Sequence, residues 1–325
     1  MTSRAVVLCL GLWLALGRVG VSQTGPPDRG MIGILREDGI LVPFAAFKGS
    51  RWDVPWPGDV SGREIPVTTS SIPEAWWGGG EEPSGWHVLG EDGTVRDIAV
   101  QAPVVFRMPC TRRLGLRTDF KPSHPPTPPF VQPYPKIGLS ATAGVAIERL
   151  EFVERSSREW TALPSVLARD LDAAEDVIVR ALRYGTGWSH PVNQKDRRKV
   201  PVTLEAWYRT PLDSPGATMS YVEAVRAYPP GPQDEGCGLV TLFTGWVFSS
   251  GRDERPKTAL VAHVSYCDRE GAMYMLPLGR IRLRDRAFWI YQLSGWNDEY
   301  YGVMRIDNTV HVEARYWAGG RGGCR

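Results

Sequence analysis

The sequence is poor in the residues that most often announce chemistry. Histidine occurs five times, at His87, His124, His190, His263 and His311, with no spacing that would gather a metal site. No G-x-S-x-G elbow, H-E-x-x-H helix, phosphate-cradling glycine loop, C-x-x-C pair or dinucleotide-binding fingerprint is present. No cofactor or metal is therefore expected, and no catalytic residue is assigned. Lysine is scarce too, since 32 of the 38 basic residues are arginine. There is no charge surplus: removing residues 1–22 takes away two arginines and no acid, and leaves a formal charge of zero. A neutral body argues against nucleic acid, whose binders carry basic surfaces.

Long apolar runs are limited to one. Ala5 to Leu16 is a twelve-residue apolar stretch behind Arg4, followed by the small-residue segment Gly17 to Gln23. A membrane span needs about 20 apolar residues, so the run reads as a cleavable signal peptide over 1–22, with Gly20-Val21-Ser22 ahead of the cut at Gln23. The expected location is secreted or periplasmic, with no membrane span after cleavage. Four cysteines then remain, Cys110, Cys237, Cys267 and Cys324, an even number that suits two disulfides in an oxidising compartment. Cys237 and Cys267 are equidistant from Arg252, the middle of a polar turn between two expected strands, so they are expected to face each other and bond. Cys110 and Cys324 then pair by elimination.

What the sequence has in plenty is β pattern. Glu37-Asp38-Gly39 and Glu91-Asp92-Gly93 each separate two short apolar runs, the mark of a tight hairpin. From residue 200 onward, strands are expected at 200–209, 219–228, 238–248, 258–267, 272–281, 287–295, 299–306 and 309–317, divided mostly by Gly, Pro, Asp or Asn. The fold class is mainly β, with antiparallel hairpins forming a sandwich, barrel or propeller-like body and one inserted helix near 165–184. That helix is expected to start on a capping box, Asp172 with Glu175, or earlier, after Pro164, and to stop at Gly185. Seven prolines among residues 122–135 exclude helix and central strand there. The expected organisation is an N-terminal Trp-rich β region at 23–121, a Pro-rich linker or loop at 122–135, and a C-terminal β region with one helix at 136–325.

Four constellations invite a functional reading. Five tryptophans fall within residues 52–86, and Trp52, Trp56, Trp76 and Trp77 are the candidates for a ligand-binding surface, against the alternative that they are core. Glu205, Glu223 and Glu313 each sit in a Glu-Ala step of an expected strand. Two of them meeting unpaired in a pocket would suit glycoside hydrolysis; arginine partners would make them structural. Arg280, Arg282, Arg284 and Arg286 form a basic ladder if their strand is continuous, or straddle a turn at 284–286. The acids Asp170, Asp172, Glu175 and Asp176 fail the pattern of a calcium loop and fit a helix start. The function expected from these is a non-catalytic binding or interaction module of the cell envelope, with an envelope polysaccharide or another exported protein as partner. The alternative is an extracytoplasmic hydrolase acting on carbohydrate.

Overall fold

The computed structural model describes residues 29–90, 92–108, 111–122, 127, 135–230, 238–251, 255–269, 271–295 and 298–320. The expected signal peptide, Cys110, Cys237, Cys324 and His124 lie outside them. The protein is mainly β, with every sheet antiparallel and a curled half-barrel among them.

The first sheet collects β1 (Arg29–Arg36), β2 (Ile40–Lys48), β3 (Arg51–Asp53), β4 (Trp86–Gly90), β5 (Val95–Ile98), β6 (Val100–Met108), β7 (Thr111–Thr118) and β8 (Lys136–Thr142). Its order is β5-β4-β8-β1-β2-β7-β6, with β3 added beside β2. Both Asp-Gly hairpins form, and Gly39 and Gly93 carry the positive φ their turns demand, 77° and 81°. They flank β8, which pairs with β4 on one side and β1 on the other. β8 follows the proline-rich segment 122–135. The N-terminal sheet is completed by a strand from beyond it, a pairing that local composition does not encode.

The remaining strands are β9 (Ile147–Glu148), β10 (Glu151–Phe152), β11 (Thr203–Pro211), β12 (Thr218–Ala227), β13 (Leu239–Ser249), β14 (Lys257–Tyr266), β15 (Tyr274–Leu283), β16 (Arg286–Ser294), β17 (Glu299–Ile306) and β18 (Val310–Gly319). The eight strands expected after residue 200 all form, and they split into two sheets, β10-β11-β12-β13-β14 and β18-β17-β16-β15-β9. The β13–β14 hairpin pairs Leu239 with Tyr266 and Phe248 with Lys257. Cys237 lies outside the described residues. Cys267 itself is disulfide-bonded.

Strand alternation explains how the sheets stack. On β16, Phe288 and Ile290 join the core shared with the first sheet, where they meet Phe44, Phe47 and Leu41. Trp289 and Tyr291 point the other way and pack with Met219 and Tyr221 of β12. The β15–β18 sheet is therefore covered on both faces, and its central strand reads as a continuous apolar run for that reason.

Outside the β11–β14 sheet lies α1 (Arg158–Thr186), which buries Trp160, Leu163, Leu167 and Leu171 against Leu204, Trp207 and Phe243. A short α2 (Gln194–Arg197) follows. The helix begins about four turns before Asp172. Ser157 is the N-cap, its Oγ accepting from the Trp160 N–H at 3.1 Å, and Gly187, not Gly185, closes the helix in a left-handed conformation. Pro164 lies inside it. The capping-box reading of Asp172 and Glu175 is thus overturned: these acids are mid-helix and are held by arginines. Glu175, 1% exposed, accepts from Arg226 at 2.5 Å, from Arg197 at 3.3 Å and from the Tyr228 hydroxyl. Arg226 also reaches Asp172 at 2.7 Å.

Candidate functional site

The tryptophan surface does not assemble as a surface. Trp52, Trp56 and Trp77 are 6%, 2% and 8% exposed, and only Trp76 is half-buried. The Trp56 indole donates to the Leu114 carbonyl at 2.9 Å and its ring meets Trp77 at 5.4 Å. Trp52 packs between Phe47 and Phe288. In a stretch with little regular structure, these rings supply the apolar volume that side chains of regular strands supply elsewhere.

The three glutamates separate. Glu313 pairs with Arg305 at 3.4 Å. Glu205 and Glu223 do line one small pocket with His263 and Tyr274. Glu205 is the extra residue of a β-bulge, since Leu204 faces Ala224 and Ala206 faces Glu223. Both of its oxygens are taken by Arg269, at 2.6 and 2.9 Å. Among the described residues no arginine bonds Glu223. It accepts from the Tyr221 hydroxyl at 2.8 Å and the Met275 N–H at 3.1 Å. Burial pushes its carboxyl above the ordinary range; those two donors oppose the rise, and the Glu205 charge adds to it. About 30 Å³ there is open to water-sized molecules, room for roughly two. A sugar ring does not fit. The arginines that follow these glutamates in sequence, Arg209, Arg226 and Arg315, are engaged elsewhere: Arg209 holds Glu151 and Glu159, Arg226 holds Glu175, and Arg315 lies over the Tyr300 ring.

A larger cleft, of about 510 Å³, opens where all three sheets meet. Its walls are Leu89 and Gly90 of β4, Lys136 to Gly138 of β8, Leu276 to Leu278 and Gln292 of β15–β16, and Phe152 and Tyr208 of β10–β11. Two bulges make the space. Leu35 faces Gly138 and Arg36 faces Lys136, leaving Ile137 extra; Pro277 faces Tyr291 and Gly279 faces Ile290, leaving Leu278 extra. A bulge bends its strand and re-aims a side chain, and both extra residues line the cleft. A Cβ at Gly279 would stand 2.9 Å from the end of the Leu139 side chain and 3.3 Å from the Glu148 carbonyl oxygen, so a larger residue there would have to displace its neighbours.

The polar side chains in the cleft are Lys136, Tyr208, Gln292 and the exposed Arg149. Lys136 is buried and paired with Glu299 at 3.2 Å; burial lowers its ammonium pKa, with the Glu299 charge opposing. Burial, then the Glu223 charge, raises the Tyr208 phenol. Gln292 is 1% exposed; its Nε2 donates to Ser294 Oγ at 2.5 Å, and its Oε1 has no partner among the described residues. Since an amide can turn over, the free position serves as acceptor or donor. An unpartnered buried amide atom carries a desolvation cost of about 1–3 kcal/mol, which a ligand group bonded to it would remove. The volume, the mostly apolar walls and the few polar groups, of which Gln292 alone is buried with an unpartnered atom among the described residues, are those of a small-molecule site.

Neither Lys136 nor Gln292 stands out in the sequence. The available signal is Pro277-Leu278-Gly279: proline and glycine inside a strand-like run mark a bulge or a close backbone approach. Among the described residues no group of three or more metal-ligating side chains converges, and no helix is long and apolar enough to cross a membrane. No family model matches the chain, and no curated protein or solved structure matches it.

Proposed function

We propose that the chain is an exported, non-catalytic binding protein, and that its three-sheet cleft takes a small, mainly apolar ligand carrying one polar group. The observation that carries this reading is the buried Gln292 amide, half unpartnered, in an apolar cleft of about 510 Å³. Leu276 and Phe152, both partly exposed, form the rim. Lys136 is engaged by Glu299 and sets the polar end of the cleft. Export rests on the apolar run at residues 5–16, and an oxidising location fits the proposed Cys237–Cys267 and Cys110–Cys324 pairs, which non-reducing peptide mapping would test.

The hydrolase alternative loses its support, because Glu205 and Glu313 are each engaged by an arginine and the space beside Glu223 is too small for a sugar. Titration of the mature protein with 1-anilinonaphthalene-8-sulfonate tests the binding reading. The expected result is saturable one-to-one binding, abolished in Leu276→Trp, which fills the mouth, and weakened roughly tenfold in Gln292→Leu, as loss of about one hydrogen bond predicts. Absence of saturable binding, or wild-type affinity in both variants, would overturn the proposal.

A further inference from the structure

The arginines that alternate at 280–286 do not form one ladder. β15 ends at Leu283, Arg284 turns with φ 55°, and β16 starts at Arg286. Arg280 is consumed by Glu148 and by Thr210 Oγ1 at 2.7 Å. The turn instead brings Arg282 and Arg286 to a second cleft, also of about 510 Å³, remote in the sheets from Gln292. Three hairpin ends close it: 210–214 from β11–β12, 282–287 from β15–β16, and 305–308 from β17–β18. Arg305 enters from the third.

The three guanidinium groups differ in what holds them. Arg305 is fixed by Asp307 at 3.2 Å and Glu313 at 3.4 Å. Among the described residues the carboxylate nearest Arg282 is Asp213 at 3.8 Å, beyond hydrogen-bond reach, and the Asp213 side chain is 88% exposed. Such a surface pair is weak and easily exchanged. Among the described residues Arg286 has no carboxylate partner; its contact is the Ser50 carbonyl at 3.2 Å. Two forks are thus available in a cleft whose third is already positioned. The acids Asp213, Asp285 and Asp307 line the same space, as do Ser214 and Asn308. Their presence disfavours a bare, highly charged anion and suits a ligand that offers hydroxyl groups beside its anionic ones. Arginine matches the planar oxygen pairs of carboxylate, sulfate and phosphate esters, and carboxylates and amides accept from and donate to sugar hydroxyls.

We propose that this turn-end cleft binds an anionic polysaccharide, with Arg282 and Arg286 gripping its oxyanion substituents and Asp213 and Asn308 meeting its ring hydroxyls. The site is independent of the three-sheet cleft. It lies among exposed turns, where a polymer can pass across the protein without its ends being enclosed.

The test is binding of the mature protein to dextran sulfate, polygalacturonate and neutral dextran, measured by calorimetry. The proposal expects at least one anionic polymer to bind, neutral dextran not to bind, and Arg282→Ala/Arg286→Ala to weaken binding at least tenfold with an unchanged unfolding midpoint. Arg286→Ala alone, which removes an exposed side chain and leaves the packing intact, should already lower affinity severalfold. Binding that survives both variants would assign the effect to generic charge and overturn the site. So would binding of neutral dextran equal to that of the charged polymers, or no binding of any of them.

Discussion

Two of the seams in this protein are built from opposite materials. Between the first sheet and the β15–β18 sheet, Ile32, Ile34, Phe44, Leu41, Phe288 and Ile290 are essentially without exposed surface, and rings meet rings at 5.3 to 6.3 Å. Between α1 and the β11–β14 sheet, the helix face is apolar for its first half, from Trp160 to Leu171. It then turns ionic, with Glu175, Arg226 and Arg197 all buried. The first seam is held by hydrocarbon removed from water, roughly 25 cal/mol per Å². The second is held by a network whose charges each lost hydration and regain it only from one another. Burial alone does not distinguish them; what differs is the consequence of removing one member. An apolar seam loses a side chain's worth of contact, whereas the ionic seam is left with buried charges short of a partner.

The sharpest break of that comparison is Glu175→Ala. It removes the buried carboxylate that Arg226 and Arg197 share, leaving Arg226 with Asp172 and Arg197 with Asp176, and a loss of up to about 3–5 kcal/mol in urea unfolding is expected. Replacing all three by apolar residues of similar volume should recover most of it. If the single variant loses under about 1 kcal/mol, the ionic seam is not cohesive. Within the apolar seam and its satellite, Trp56→Ala is expected to cost about 3–5 kcal/mol, as deep aromatic truncations do, while half-buried Trp76→Ala costs clearly less. Equal values would restore the tryptophans as a surface. Ser157→Ala, which removes the N-cap of α1, should cost about 0.5–2 kcal/mol by thermal melting.

The smallest effect concerns pH. The Glu223 carboxyl is raised by burial, so its folded value lies above the ordinary 4.5 and the folded state holds a proton that the unfolded chain has released. Its contribution to stability is fully present below 4.5 and is lost as pH rises through the folded value. Glu223→Gln keeps acceptors for Tyr221 and Met275 but cannot ionise. The wild type should therefore lose stability relative to this variant as pH rises from 4.5 toward neutrality, and a constant difference would contradict the assignment.

Much of the β architecture is legible in the amino-acid order. The expected strand 299–306 coincides with β17, and 238–248 differs from β13 by one residue at each end, because β-branched and aromatic runs bounded by turn residues are local information. Of the candidate sites, the glutamates are readable as positions but not as partners. Arg269 reaches Glu205 across 64 residues, and no spacing rule predicts such a meeting. The cleft escapes a linear reading because its walls come from three sheets and its volume from bulges that change register by one residue. Gln292 looks like an ordinary strand residue for the same reason.

The strands, the two Asp-Gly hairpins and the existence of a single long helix follow from periodicity and turn chemistry within about ten residues of chain. They need nothing beyond the local amino-acid order. Three outcomes need the packed molecule: β8 returns to the middle of the first sheet, the last eight strands divide between two sheets, and Trp56 becomes core while Gln292 faces a cleft. Each depends on which faces remain to be buried once the strands exist. Burial is a property of the assembled stack, shared among residues far apart in the chain.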